Sequence, residues 1–269
     1  MSEHHIAPDR GDPSDPTRCG GPPAAVDSPW VLLLGLYALT IVAQFTSLAF
    51  GRSQLQQGLS TMLLPSLAYL SLLTLPAVWV GLRLGPSLGL GAPRFAALLA
   101  RRKGTLRAMV SDGAVAGIAG LLLGAAFLAL RVAVQPLLPE ALPEPGFRGV
   151  LGGAAVSFGA AVGEEVWFRL GLMTLLVWLA VRLGGKREPS GAIVWGVITI
   201  TALGFGLAHV PQLVAYGASA PMAVASTVLG NVAVGTLYGW CYWRRGLLAA
   251  MVAHFSVDIV LHSLPALVP

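Results

Sequence analysis

Charge is what this sequence has least of. Only 11% of its 269 residues are Asp, Glu, Lys or Arg, against 55% hydrophobic residues. A soluble globular domain carries about a quarter of its residues as charges, so that class is excluded. Cysteine is as scarce: Cys19 and Cys241 cannot build a disulfide framework, and no CxxC or Cys/His metal spacing occurs. No basic stripe interleaved with aromatics runs through the chain, which excludes a nucleic-acid partner. The formal charge of +5 comes from Arg and Lys at the ends of apolar runs. No internal repeat and no pair of inverted halves is visible, which argues against a transporter. The protease signatures HExxH, GxGD and GxSxG are absent.

What remains is a series of apolar runs, with a mean hydropathy of +0.75 over the whole chain. Their lengths of about 20 residues predict an all-α, polytopic helical membrane protein embedded in a lipid bilayer. Runs at 30–50, 59–82, 113–134, 150–183, 192–209, 220–243 and 247–264 give seven transmembrane helices. The fourth is too long for one untilted crossing, so it tilts, projects from the bilayer, or breaks near Gly163, which would make eight. Residues 1–29 are rich in Pro, Gly and Asp and predict a disordered polar tail, not a signal peptide. With the N-terminus cytoplasmic, thirteen of the seventeen basic residues fall on the inner side. Two lie in the tail, six in the loop 83–110, three at 182–187 and two at 244–245.

Against this background a few polar residues are out of place. Glu164, Glu165 and Asp258 are the acids within apolar runs, and His209, His254 and His262 are the histidines beyond the tail. Charges inside a membrane helix cost about 2.5–3.5 kcal/mol each at the bilayer centre, so they default to a functional reading. Glu165 and Arg169 are spaced i,i+4 with the acid first, the better order for an ion pair. Glu164 lies about 100° further round the helix without a local partner. Phe205 and His209 share a face, so an aromatic wall backs that imidazole; His254 and Asp258 share another. His262 continues that face and reads as structural. By helical rise Glu164 and His209 both lie about 27 Å from their basic helix ends, whereas His254 lies about 14 Å from Arg245. Gathering all three needs strong tilt or cytoplasmic projection of the fourth and fifth helices.

The succession EExxxR, FxxxH and HxxxD, here Glu164-Glu165-Val-Trp-Phe-Arg169, Phe205-Gly-Leu-Ala-His209 and His254-Phe-Ser-Val-Asp258, resembles the CPBP family of intramembrane proteases, the Abi or type II CAAX prenyl endopeptidase group. The resemblance covers roughly 150–265. It implies three accessory transmembrane helices within 30–148, carrying the basic cytoplasmic loop 83–110, and a catalytic core at 149–269. It implies an endopeptidase in a prokaryotic cell membrane, with a peptide or protein substrate at the membrane. Glu164 and His209 would activate water, and His254 with residue 258 would stabilise the oxyanion. Two departures stand out: the third motif often ends in Asn, where Asp258 cannot donate a hydrogen bond unless protonated, and the glycine that often follows the motif Arg is Leu170, with Gly171 one place later. Glu164, His209 and His254 also make a reasonable zinc set, leaving metal-dependent and glutamate-dependent chemistry both open. Asp258 suits a ligand or a supporting role.

The alternatives are a non-catalytic scaffold, immunity factor or regulator of the same fold, a bis-His haem protein using His209 and His254, and a proton relay through Glu164. The intact ionisable residues of all three motifs favour the peptidase, because a scaffold need not keep buried charges. For the topology, cysteines placed at Lys103 and Tyr216 are expected to label from opposite faces of the membrane. Labelling from the same face contradicts it.

Overall fold

The computed structural model describes residues 29–51 and 59–267. Nearly all of the tail, and the connector expected at 51–58 apart from Gly51, lie outside the described residues. Helices follow in the order α1 (Pro29–Gly51), α2 (Leu59–Leu84), a short α3 (Pro93–Leu99), α4 (Thr105–Ala133), α5 (Gly149–Glu164) and α6 (Thr174–Leu183). Then come α7 (Gly191–Ala208), a short α8 (Val210–Ala215), α9 (Pro221–Arg245) and α10 (Leu247–Asp258). Seven helices are long and apolar enough to cross a membrane, and no strand occurs among the described residues. The molecule is therefore an integral, polytopic helical membrane protein. Leu64, Leu72, Leu122, Val132 and Leu229 are exposed on it, as lipid-facing side chains must be.

The fourth apolar run is one continuous helical rod. It neither breaks at Gly163 nor keeps α-helical bonding throughout: between α5 and α6, Glu165–Met173 winds as a π-helix. Such stretches are rare and cluster at functional sites, because the extra residue per turn re-aims the side chains that follow. The rod also projects. The hydroxyls of Thr174 and Tyr242 are 2.7 Å apart. From that level α9 runs three residues to Arg245 and α6 nine to Leu183, so α6 reaches about 9 Å further by helical rise. That length accounts for most of the difference in depth expected between Glu164 and His254.

The first spans pack directly on the motif-bearing helices. α1 lies along α5, α2 along the π stretch, and α4 along α10. Gln44 Nε2 donates to the Gly159 carbonyl at 2.7 Å, and Trp167 Nε1 to Thr74 Oγ1 at 3.0 Å, the cross-helix polar ties that hold helices together where no water competes. Gly171 serves close approach: a Cβ there would stand 2.7 Å from that of Ala77 on α2. α4 begins eight residues earlier than hydropathy predicts, taking Arg107 and Asp112 into the helix. Asp112 is tolerated there because Arg94 and Arg245 hold it at 3.0 and 3.1 Å.

Candidate active site

Four elements meet at the imidazole of His254, which is buried on α10. Its Nδ1–H donates to Glu165 Oε1 at 2.8 Å. Its Nε2 lies 3.5 Å from Asp258 Oδ2, one turn on, and 3.9 Å from Glu164 Oε2. Of the adjacent carboxylates of the first motif, Glu165 thus holds the ring by a hydrogen bond, while Glu164 faces its other nitrogen beyond hydrogen-bonding distance. The sequence reading paired Glu165 with Arg169 alone; here Glu165 also holds His254. Arg169 Nη1 lies 3.2 Å from Glu165 Oε1, and Nη2 donates to the Gly235 carbonyl at 3.1 Å. Gly235 makes that possible, since a Cβ would crowd the guanidinium at 3.3 Å and Ala202 at 3.2 Å.

Phe205 is the wall that the three motifs share. Its ring centroid lies 4.8 Å from His209, 5.9 Å from His254 and 5.2 Å from Phe168, each edge to face, with Arg169 Cζ 4.7 Å above it. His209 caps the end of α7, and its Nδ1–H donates to the Phe205 carbonyl at 2.8 Å, leaving Nε2 as the nitrogen available for other work. Glu164 and Asp258 lie within electrostatic range of each other and each of both His209 and His254. Exposure separates the acids: 26% of the Glu164 side chain is accessible, 14% of Asp258, and none of Glu165.

No three His, Cys, Asp or Glu side chains among the described residues are grouped closely enough in this structure to hold a metal ion. The Nδ1–H of His254 goes to Glu165, and its Nε2 faces Glu164 and Asp258.

Tyr238 was not visible as a site residue in the sequence. It belongs to no motif, and an aromatic residue in an apolar helix reads as core. Its ring lies flat on the His254 imidazole, with centroids 4.4 Å apart and an interplanar angle of 13°. A phenol facing no obvious polar neighbour in a membrane helix was the available signal.

Residues 145–260 match the family model described as Rce1-like, type II CAAX prenyl endopeptidase. This part of the chain is similar to that family. Neither the curated proteins nor the solved structures compared with the chain match it. The Rce1-like match spans all three motifs and the helices that carry them, and it makes the fold that of a CAAX-protease-like membrane endopeptidase. The Rce1-like family is a family of proteases, which supports a hydrolase at the family level.

A directed chain of hydrogen bonds ties the Rce1-like site to the first half of the molecule. Gly91 N–H donates to the Tyr242 hydroxyl at 2.8 Å, and Thr174 Oγ1 donates to the Arg169 carbonyl at 3.2 Å. An amide can only donate and a carbonyl only accept, so the 2.7 Å contact between them runs from Tyr242 to Thr174. The end of the π stretch, and with it Arg169, is anchored in this way to the segment before α3. Tyr242→Phe strands the buried Gly91 N–H, at a cost of about 1–3 kcal/mol, and takes from Thr174 the hydrogen bond it accepts. The variant is expected to melt several degrees below the parent in detergent, and an unchanged melting temperature contradicts the anchor.

Proposed function

We propose that this protein hydrolyses peptide bonds at the membrane with a water molecule activated by Glu164. The observation that carries the reading is the difference in exposure within one cluster. Glu165 is sealed and committed to Arg169 and His254, whereas Glu164 is the most accessible of the three carboxylates around the same ring. A base must reach its water, and Glu164 can.

In the step itself, Glu164 takes a proton from water as the water oxygen bonds to the carbonyl carbon of the peptide. The π electrons of the carbonyl move to its oxygen, giving a tetrahedral oxyanion. Collapse breaks the C–N bond, and the proton held by Glu164 passes to the departing amine. His209, whose Nδ1–H is held by the Phe205 carbonyl, presents Nε2 to orient the water. His254, held between Glu165 and Asp258, fixes the position of Glu164. Arg169 and Glu165 form the structural ion pair below it. The donor arrangement favours a glutamate-type mechanism over a metal-dependent one. The charge distribution supports a cytoplasmic N-terminus, and the resemblance supports a prokaryotic cell membrane.

Cleavage of a peptide library by the protein in liposomes tests this. Glu164→Gln keeps shape and hydrogen bonding but removes the base, so turnover should fall about 10²–10⁴-fold with folding intact. His209→Ala should lose a comparable factor, and the double variant should be little worse than either, because the two act as a unit. Near-normal turnover by Glu164→Gln defeats the mechanism.

A further inference from the structure

Around His254 the hydrogen-bond acceptors are plentiful and the donors are spent. Glu164, Glu165 and Asp258 all lie within 3.9 Å of the ring nitrogens. The His254 Nδ1–H goes to Glu165, and its Nε2 faces the other two acids. The His209 Nδ1–H goes to the Phe205 carbonyl, and Arg169 is committed to Glu165 and to Gly235. Asp at 258 adds another acceptor where an Asn would bring an amide donor. Hydrolysis of an amide nevertheless builds negative charge on the carbonyl oxygen, and that charge needs a donor aimed at it.

We propose that the Tyr238 hydroxyl is this donor, bonding the carbonyl oxygen of the scissile peptide as it becomes the oxyanion. The ring lies face to face on His254 at 4.4 Å and edge-on to Phe205 at 6.3 Å, and the residue is 1% exposed. Its hydroxyl is buried and has no hydrogen-bond partner. Such a group forfeits its hydration without compensation, a cost that a phenylalanine would not carry. The charged groups that act on it are Asp258, Glu165, Arg169 and Glu164, the site itself. No proton is transferred: the O–H bond stays with Tyr238 throughout, and the hydrogen bond forms with the tetrahedral state and relaxes when the C–N bond breaks. Arg169 Nε–H is another donor left over, but its guanidinium is fixed by the ion pair to Glu165 and packed on the rings of Phe205 and Tyr238.

This assignment rests on the hydrolytic reading above, and its test separates the two. In the liposome assay, Tyr238→Phe keeps the stacked ring and loses the hydroxyl. The expected result is a fall in kcat of about 10²-fold, as for other lost oxyanion donors, with KM unchanged and a melting temperature no lower than the parent's. Asp258→Asn introduced into that variant places an amide donor beside His254 and should recover at least about tenfold, the worth of one good hydrogen bond. A Tyr238→Phe enzyme within about twofold of the parent overturns the proposal and leaves Arg169 Nε as the donor. Loss of rate together with melting temperature, unrelieved by Asp258→Asn, also overturns it, as a packing effect. Glu164→Gln is measured alongside. If it is inactive while Tyr238→Phe is fully active, the Tyr238 assignment alone fails; if it is active, both fail.

Discussion

The site depends on one carboxylate that water never reaches. Glu165 is fully buried between the Arg169 guanidinium at 3.2 Å and the His254 imidazole at 2.8 Å. Left alone in an apolar interior its charge would cost several kcal/mol, and so would that of Arg169. Each is tolerated because the other is there, so the two must be placed before the helices can close around them. The π stretch carries both, and the bonds from Gly91 through Tyr242 and Thr174 end on the Arg169 carbonyl. Once Glu165 is fixed, His254 is fixed by it. Glu164, the preceding residue, then faces the second ring nitrogen while remaining partly accessible.

This arrangement explains why a membrane protein keeps two adjacent acids in an apolar helix. In the proposed reaction the first is the base and stays open, while the second positions and stays sealed. The aromatic cluster of Phe168, Phe205 and Tyr238 closes round the ion pair and excludes solvent. In such surroundings the interactions that hold His254 are strengthened, and the ring is kept in one orientation.

Much of this could be read from the chain. Seven spans follow from hydropathy, because lipid demands about 20 apolar residues per crossing. The pairing of Glu165 with Arg169 and that of His254 with Asp258 follow from spacing along one helix. What could not be read depends on contacts between distant segments. Asp112 looked like the edge of a loop because its partners, Arg94 and Arg245, lie 18 and 133 residues away. The π winding of Glu165–Met173 leaves no mark in composition. His254 comes to the depth of Glu164 largely through the extra length of α6 beyond α9, a difference between two helices that spacing along either one does not carry. Tyr238 was invisible for the same reason: only its stack on His254, 16 residues further along the chain, distinguishes it from ordinary core.

The central claim is that Glu165 and Arg169 are a mutually dependent buried pair on which the site is built. A double-mutant cycle of unfolding free energies in detergent, using Glu165→Gln, Arg169→Met and the two together, tests it most directly. Each single variant strands a buried charge and should lose about 3–5 kcal/mol, while the double variant, with no charge left to strand, should recover most of one of those losses. Single losses that add in the double variant to within about 0.5 kcal/mol would mean that the two charges do not depend on each other, and would contradict the account.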